Sequence, residues 1–290
     1  MSILLLGKNG QLGWELHRCL SVVGDVTALD FPDIDLTDVD QLRDTVRSVS
    51  PRLIVNAAAY TAVDRAESEP DIAMAINAHA PAIIAEEAVS LDAALIHFST
   101  DYVFDGAQES IYTEDDTPNP LNVYGHSKLS GETAVIQSGC GALVFRTSLV
   151  YSMRCDCFVT SVLKWARERE TLRIVTDQTS NPTWCRMLAG AVTRLVGDGW
   201  SELPSWVMDR RGVYHLAGDG FASRYDLARE IIANVPDEEE LRGVSIERAL
   251  TSEFPAQAER PLFSALDCTL FEKTFGFRLP IWKDALVLAM

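Results

Sequence analysis

The stretch Ile3-Leu-Leu-Leu-Gly7-Lys-Asn-Gly10-Gln-Leu-Gly13 decides the fold. A short apolar run, typical of a buried strand, leads into glycines spaced G-x-x-G-x-x-G, and Leu12, Leu16 and Leu20 then recur at helical spacing. Glycines permit a tight turn and let the backbone approach a pyrophosphate, while the helix N-terminus offers free N–H groups. The stretch predicts a dinucleotide-binding strand–turn–helix unit. The alternative is a tight turn that holds no ligand.

The same rhythm continues through the first half of the chain. Helical periods alternate with apolar runs that predict short buried strands at Ile3–Leu6, Val26–Leu29, Leu53–Asn56, Leu95–Ser99 and Leu143–Arg146. A further short strand is expected just before Asp35. This alternation predicts an α/β fold with a Rossmann-type, doubly wound parallel sheet.

Beyond about residue 150 the pattern loosens. We expect residues 1–150 to form the dinucleotide-binding domain and residues 151–290 to form mainly a smaller, irregular α/β substrate-binding domain. Segments near 172–180 and 213–232 are able to rejoin the main sheet. A helix is expected over Phe158–Arg169, a second one opens at Ser223 with Asp226 as a capping box, and a polar break falls at residues 236–240.

Charge and cysteine content exclude several classes of protein. Acidic residues number 42 and basic residues 25, a net charge of −17, and such a surface repels nucleic acid. No apolar run reaches the ~18 residues that a membrane span needs. The six cysteines form no C-x-x-C pair, and Cys155 and Cys157 have no His or second Cys pair nearby. We expect a cytoplasmic protein with reduced thiols, no metal, and no nucleic-acid or membrane partner.

Acidic residues after the second strand bear on the choice of coenzyme. Asp30 ends that strand about 20 residues beyond the glycines, where a carboxylate accepts hydrogen bonds from an adenosine ribose and repels a 2′-phosphate. Lys8 is able to offset that repulsion, so NADH and NADPH both stay open. Asp35 and Leu36 are placed to flank adenine, although Asp35 also suits the N-terminus of the helix containing Val39.

Tyr124-Gly-His-Ser-Lys128 is a Y-x-x-x-K motif. On a helix, residues i and i+4 share a face, which sets a phenol beside an ammonium group. The cation is expected to lower the pKa of Tyr124 and make it a better acid, and a carbonyl reduction needs a proton at oxygen. Lys128 is also able to hold a nicotinamide ribose. Thr100, with Ser99 as its rival, is expected to polarise the carbonyl from the end of the preceding strand.

These motifs together resemble the extended short-chain dehydrogenase/reductase family. Within it, G-K-N-G-Q-L-G-W-E-L, V-N-A-A-A-Y-T-A-V-D-R-A-E-S-E-P, S-T-D-Y-V-F-D-G, P-L-N-V-Y-G-H-S-K and R-T-S-L-V-Y are similar to the dTDP-4-dehydrorhamnose reductases over nearly the whole chain. The resemblance implies NAD(P)H-dependent reduction, with NADPH slightly favoured, of the C4 ketone of dTDP-4-dehydro-6-deoxy-L-mannose to dTDP-L-rhamnose.

By position, the resemblance also assigns roles to individual residues. Tyr124 becomes the proton donor, Lys128 its partner and Thr100 the hydrogen-bond donor to the carbonyl. The expected cofactor contacts are Gly7, Gly10, Gln11, Leu12, Gly13, Asp30, Asp35, Leu36, Ala59, Tyr60, Thr61, Tyr124 and Lys128. The expected contacts of the dTDP-sugar are Thr100, Asp101, Tyr102, Leu149 and Arg260, with Arg260 on the diphosphate or, alternatively, in a surface ion pair with Glu259 or another acid.

The chain departs from this family at three places. Leu149 stands where similar enzymes often carry Trp, and Cys157 stands where some carry Asn. Some relatives dimerise through magnesium held by acidic residues; Glu15 matches one ligand, but Arg186 occupies the place of another. A fixed positive charge repels the metal, so we expect no magnesium site and a monomer or weak homodimer.

Two other functions fit the same fold. A nucleotide-sugar dehydratase or epimerase is one, although similar dehydratases read T-D-E where this chain has Thr100-Asp101-Tyr102, which removes a carboxylate. A non-catalytic dinucleotide-binding regulatory subunit is the other, and loss of the tyrosine or the lysine would mark one. Both Tyr124 and Lys128 are present, which favours the reductase.

Overall fold

A parallel six-stranded sheet organises the part of the chain that the computed structural model describes, namely residues 1–108, 110–235 and 244–290. The polar break expected at 236–240 lies outside these residues. The described strands are β1 (Ser2–Leu6), β2 (Asp25–Leu29), β3 (Leu53–Asn56), β4 (Ala94–Thr100), β5 (Ala142–Thr147), β6 (Val150–Tyr151), β7 (Thr171–Val175), β8 (Thr179–Ser180), β9 (Thr183–Trp184), β10 (Gly212–His215), β11 (Ala222–Ser223) and β12 (Ser245–Ala249).

The sheet has the order β10-β5-β4-β3-β1-β2, and every pairing in it is parallel. From β1 the chain adds β2 on one side, and from β3 onward it adds strands on the other side, so the strand order switches direction between β1 and β3. In open α/β sheets a ligand crevice forms at such a switch point, outside the carboxyl ends of the strands. Here those ends are Leu6, which is followed directly by the glycine loop, and Asn56, which is followed directly by three alanines.

Helices cover both faces of this sheet, which is why β3, β4 and β5 are buried along their whole length. One apolar core joins the helices α1 (Gln11–Leu20) and α8 (Cys185–Asp198) to one face of the sheet, and a second joins α2 (Val39–Val49) and α5 (Ala80–Ser90) to the other face. The described helices are α1 (Gln11–Leu20), α2 (Val39–Val49), α3 (Val63–Ala66), α4 (Pro70–Met74), α5 (Ala80–Ser90), α6 (Val123–Gln137), α7 (Phe158–Glu168), α8 (Cys185–Asp198), α9 (Leu203–Met208), α10 (Arg224–Ala233), α11 (Thr269–Phe275) and α12 (Trp282–Ala289), with a π-helical turn at Ala75–His79.

The second half of the chain contributes both to the core under the main sheet and to separate apolar cores. Its β10 extends the main sheet, and α8 packs on α1. By contrast, β7 pairs with β12 in a separate two-stranded sheet, and α7, α10 and α12 enclose a third apolar core around Tyr151 and Trp184. The assignment of residues 151–290 mainly to substrate binding stays a prediction.

The α/β class and the five strands expected in the first half are confirmed, but the further strand expected before Asp35 is wrong. Residues 31–38 form turns. The Ile34 N–H donates to the Asp30 carbonyl at 3.2 Å, and the Asp38 N–H donates to the Asp35 carbonyl at 3.1 Å. The carboxylate of Asp38 caps α2 by accepting from the Gln41 N–H at 3.0 Å. These local bonds take up the backbone groups that a strand would pair with a neighbour. Among the described residues no helix has the length and apolar character that crossing a membrane requires.

Candidate active site

The glycine loop brings the start of α1 close to the loop after β3. Gly7 has φ +89°, and a Cβ there would lie 2.6 Å from the Ala58 nitrogen, so a larger residue is excluded. A Cβ on Gly13 would lie 1.8 Å from the Gly7 carbonyl oxygen. Gly10 caps α1 without a side-chain hydrogen bond. The loop therefore presents the first turn of α1 to the crevice, as anion binding at a helix N-terminus requires.

This crevice is a cleft of about 740 Å³. It gathers most of the residues that the sequence predicts for cofactor and substrate: Gly7, Gly10, Gln11, Leu12, Asp30, Asp35, Leu36, Ala59, Thr61, Thr100, Asp101, Tyr102, Tyr124, Lys128 and Leu149. Gly13, Tyr60 and Arg260 are not among its lining residues. Several further lining residues were not predicted from the sequence, namely Phe31, Ile34, Val63, Ile76, Cys155 and Arg224.

Asp30 lies at the end of the cleft next to β2, and its contact with a ribose stays a prediction. Its carboxylate accepts from the N–H groups of Asn9 and Phe31, each at 2.8 Å, and so ties the glycine loop to the end of β2. Lys8 does not offset the charge of Asp30, since its ammonium group donates to Asp33 at 2.6 Å. Phe31, 70% exposed, adds an aromatic surface to this end of the cleft.

Asp35 and Leu36 lie in the cleft wall without the strand that was expected before them. The Asp35 carboxylate accepts from the N–H and the hydroxyl of Thr37, at 2.9 and 2.7 Å. These two hydrogen bonds, the hydroxyl first, lower the pKa of Asp35. The residue is therefore a fixed negative charge in the cleft wall at neutral pH.

The loop after β3 is held by Asn77, which lies in the π-helical turn and is buried. The Asn77 side-chain oxygen accepts from the Tyr60 N–H at 2.8 Å, and its amide group donates to the Tyr60 carbonyl and to the Ser127 hydroxyl, each at 3.0 Å. The phenol of Tyr60 turns away from the cleft and donates to Glu69. Tyr60 thus shapes the cleft through its backbone. The contact between Asn77 and Tyr60 joins residues that are 17 positions apart, and no short sequence motif predicts it.

The predicted catalytic pair projects from α6 into the cleft. Asn122 caps that helix by accepting from the Gly125 N–H at 2.8 Å. Gly125 allows the helix to approach the end of β4, because a Cβ there would lie 2.2 Å from the Tyr102 carbonyl oxygen. Lys128 is buried and donates to the Phe98 carbonyl at 2.6 Å. Tyr124 and Lys128 both line the cleft beside Ser99 and Thr100.

The pKa of Tyr124 differs from the expectation that Lys128 lowers it. Burial raises the pKa of Tyr124 well above its ordinary value, and a hydrogen bond with Thr100 opposes this only in part. Burial also lowers the pKa of Lys128 to about 8, against the effect of Glu132. Desolvation is therefore the largest cause of both pKa shifts, against the opposing effects of Thr100 on Tyr124 and of Glu132 on Lys128. Tyr124 keeps its proton at neutral pH, as a proton donor must.

Thr100 and Ser99 have different surroundings at the end of β4. The Thr100 hydroxyl donates to Asp101 at 3.2 Å and accepts from the Tyr102 N–H at 3.2 Å. The buried Ser99 hydroxyl has no hydrogen-bond partner in the part of the chain that the structure describes. Both line the cleft, so the geometry leaves either able to meet a carbonyl.

Asp101 is buried, at 3% exposed, and binds three hydroxyl groups. One carboxylate oxygen accepts from Ser148 at 2.9 Å and from Ser264 at 2.6 Å, and the other accepts from Thr100. Burial raises the pKa of Asp101, while these hydrogen bonds lower it. The residue therefore joins β4, the end of β5 and the C-terminal segment behind the cleft wall.

The ring of Tyr102 packs edge-on against Tyr124, with ring centroids 5.8 Å apart. Burial raises the pKa of Tyr102, and the guanidinium groups of Arg224 and Arg260 lower it. The two arginines differ in their partners. Arg260, whose contact with the diphosphate stays a prediction, pairs with Asp64 at 2.7 Å, in line with the alternative of an ion pair with an acid, and donates to the Ala258 carbonyl at 3.0 Å; Arg224 lines the cleft.

The departures from the family occupy defined places. Leu149 lines the cleft with φ +40°, a left-handed conformation that is uncommon for leucine and marks a constrained position. Cys157 is the N-cap residue of α7, and Cys155, two residues before it, lines the cleft. The Arg186 guanidinium donates to Glu15 at 3.3 Å, so a positive charge lies beside the Glu15 carboxylate.

The residues present in the cleft fit a dinucleotide. The Gly7 and Gly13 positions leave a cradle that a Cβ would fill. Three cleft-lining polar atoms are buried without a partner: the side-chain oxygens of Gln11, Ser99 and Thr147. Buried polar atoms are ordinarily hydrogen-bonded, so these are places where a ligand completes the site.

Fold and site together define an NAD(P)H-dependent oxidoreductase of the short-chain dehydrogenase/reductase type. Comparison with known proteins narrows the class. The family model described as the RmlD substrate binding domain matches residues 1–290. The chain belongs to this family, that of the dTDP-4-dehydrorhamnose reductases.

Individual relatives agree over the full length. The chain is 39% identical to a dTDP-4-dehydrorhamnose reductase of Burkholderia thailandensis, with 100% of this chain and 98% of the relative covered. It is similar to the crystal structure of a dTDP-4-dehydrorhamnose reductase from Clostridium acetobutylicum, at TM-score 0.91 and 33% identity over 100% of this chain and 98% of that one. The chain is also similar to a Bacillus anthracis dTDP-4-dehydrorhamnose reductase that was solved in complex with NADP. The TM-score is 0.90 and the identity 30%, over 99% of this chain and 98% of that one.

Proposed function

We propose that this enzyme reduces the C4 ketone of dTDP-4-dehydro-6-deoxy-L-mannose to dTDP-L-rhamnose, using NADPH or NADH. The observation that carries the proposal is the position of Tyr124 and Lys128 in one cleft with Ser99, Thr100 and the glycine loop. Its relatives named dTDP-4-dehydrorhamnose reductase, similar over their full length, support the choice of substrate.

The proposed cofactor contacts fall into three groups along the cleft. Gly7, Gly10, Gln11 and Leu12 meet the pyrophosphate through the first turn of α1, and Gly13 acts by letting that turn close on the loop. Asp30, Asp35 and Leu36 lie at the adenosine. Ala59, Thr61 and the backbone of Tyr60 form the wall toward the nicotinamide, with Lys128 on its ribose.

The proposed chemistry needs one hydride and one proton. When bound, the reduced nicotinamide supplies the hydride to the carbonyl carbon. Tyr124 donates its phenolic proton to the carbonyl oxygen as negative charge develops there, and solvent later returns a proton to the tyrosinate. The raised pKa of Tyr124 keeps the donor protonated until that charge appears. Thr100 or Ser99 donates a hydrogen bond to the same oxygen.

The substrate side of the cleft supports reduction over dehydration. A dehydratase needs a carboxylic acid beside the reacting sugar, and this position holds the phenol of Tyr102. Asp101, the nearest carboxylate in the sequence, has both oxygens bound by hydroxyl groups. We further propose that the sugar lies against Tyr102 and Leu149, and that the enzyme acts in the cytoplasm as a monomer or weak homodimer.

The test is the loss of 340-nm absorbance from NADPH or NADH when dTDP-4-dehydro-6-deoxy-L-mannose is supplied. We expect turnover with this ketone and none when dTDP-L-rhamnose and the reduced coenzyme are mixed. The matched control is Lys128→Met, which removes the ammonium group and keeps much of the side-chain volume. Turnover that is equal in this variant would contradict the proposed site.

A further inference from the structure

Arg224 reaches the cleft from the second half of the chain. Of the described residues that line the cleft, Arg224 and Lys128 are the positively charged ones. Lys128 is buried, with its ammonium group on the Phe98 carbonyl. Arg224 is half-buried and is therefore open to a ligand that enters from solvent.

The fold holds Arg224 in place by three contacts. It is the first residue of α10, which Ser223 caps by accepting from the Asp226 N–H at 3.0 Å. The Arg224 N–H donates to the Gln178 carbonyl at 3.0 Å. Its guanidinium carbon lies 5.0 Å from the centre of the Phe158 ring. A cation stacked in this way keeps its N–H donors free at the edges of the plane.

Arg224 has no carboxylate partner among the residues that the structure describes, in contrast with Arg260, which Asp64 holds at 2.7 Å. The nearby Asp101 carboxylate is already bound by the hydroxyls of Thr100, Ser148 and Ser264. In a chain with a net charge of −17, an anionic substrate must find positive charge locally. Besides its hydrogen bond with the side chain of Tyr102, Arg224 presents an oriented fork of N–H donors that fits phosphate oxygens.

We infer that Arg224 binds the diphosphate of the nucleotide-sugar substrate and fixes the sugar against Tyr102. This inference rests on the proposed function. It places the diphosphate contact on Arg224 and leaves Arg260 as a structural ion pair. Because Tyr102 packs against Tyr124, a diphosphate at Arg224 sets the attached sugar close to the proton donor.

A merely structural role is the competing explanation, since the positive charge of Arg224 also lowers the pKa of Asp101. The two explanations differ in which ligands they affect. A diphosphate contact changes the affinity for dTDP and leaves the affinity for thymidine unchanged. A structural counter-charge for Asp101 changes both affinities together, or lowers the stability of the fold.

The experiment is calorimetric titration of the full chain with dTDP and, separately, with thymidine, in the wild type, Arg224→Gln, Arg224→Lys and Arg260→Gln. We expect Arg224→Gln to weaken dTDP binding about 10- to 100-fold, because charge-assisted hydrogen bonds are lost, with thymidine unchanged. Arg224→Lys keeps the charge and should retain part of the dTDP affinity. Arg260→Gln should weaken dTDP binding less than Arg224→Gln does.

Unchanged dTDP affinity in Arg224→Gln would overturn the inference, as would equal losses for dTDP and thymidine. NADH binding reports folding in each variant, and Arg224→Lys carries the test if the glutamine variant does not fold. The titration involves no turnover. A chain that binds dTDP through Arg224 but does not reduce the ketone would therefore contradict the proposed function alone.

Discussion

The two ends of the cleft differ in how they are built. The glycine-loop end is made from neighbours in the sequence: Gly7, Gly10 and Gly13 lie within one turn, and Asp30 ends the next strand. The far end joins distant segments, for example Asp101 with Ser264, 163 residues apart. Short motifs therefore specify the glycine-loop end, where we propose that the coenzyme binds, whereas long-range contacts specify the far end, where we propose that the substrate binds.

The largest expected effect tests the point where the two ends meet. Tyr124→Phe removes the proton donor and leaves the ring packed on Tyr102. Turnover should fall ~10²- to 10⁴-fold, the usual contribution of general acid catalysis, while coenzyme affinity persists. Steady-state rates at 340 nm and fluorescence titration with NADH measure the two quantities. Normal turnover in the variant would show that Tyr124 is not the acid.

A smaller effect is expected at the adenosine end. Asp30→Ala removes a carboxylate that is placed to bind a ribose hydroxyl and repel a 2′-phosphate, so NADH should bind about 10-fold more weakly relative to NADPH. Loss of the hydrogen bond between Asp30 and the Asn9 N–H weakens the binding of both coenzymes. The ratio of the two dissociation constants cancels this common effect. Lys8→Ala serves as the control, because Lys8 pairs with Asp33. If the ratio of the NADH and NADPH dissociation constants is unchanged in Asp30→Ala, Asp30 only holds the glycine loop and does not distinguish the two coenzymes.

The pH dependence tests the burial of Lys128. Its pKa is lowered to about 8, so the ammonium group is charged below that pH and loses its proton as the pH rises through it. Turnover should therefore fall on the alkaline side with an apparent pKa of about 8. In Lys128→Arg, whose side chain stays charged, that limb should move to higher pH even if the overall rate is lower. If the alkaline limb of the pH profile stays at the same pH in Lys128→Arg, another group is responsible for that limb.

The smallest effect is expected from removing metal. Arg186 donates to Glu15 at 3.3 Å and brings a fixed positive charge to a position that the sequence resemblance implies is a magnesium ligand in some similar enzymes. Mg²⁺ needs several oxygen ligands in near-octahedral geometry, so activity and mass in solution should be unchanged by exhaustive EDTA treatment. Light scattering with and without EDTA checks the mass. A dimer or an activity restored specifically by Mg²⁺ would contradict this expectation.

The sequence predicted the sheet and the local motifs because both depend on residues close together in the chain. The strand expected before Asp35 was wrong, since Asp30, Asp35 and Asp38 bind nearby N–H groups and form turns. The effect of Lys128 on the pKa of Tyr124 was also wrong, because spacing on a helix does not report desolvation.

The roles of the two arginines depend on distant partners. Arg260 pairs with Asp64, 196 residues earlier, and Arg224 stacks on Phe158. Neither contact is predicted by a repeating pattern of residues in the sequence. Residues such as Asn77 and Arg224 therefore emerge only when the fold brings their neighbours together.

Transfer of isotope tests the central claim most directly. The enzyme is supplied with dTDP-4-dehydro-6-deoxy-L-mannose and NADPH or NADH carrying deuterium at C4 of the nicotinamide, on each face in turn, and the product is examined by proton NMR and mass spectrometry. We predict dTDP-L-rhamnose with one deuterium at C4 of the sugar from one of the two labelled faces. A product without deuterium at C4 from either face, or with deuterium at another sugar carbon, would contradict the account.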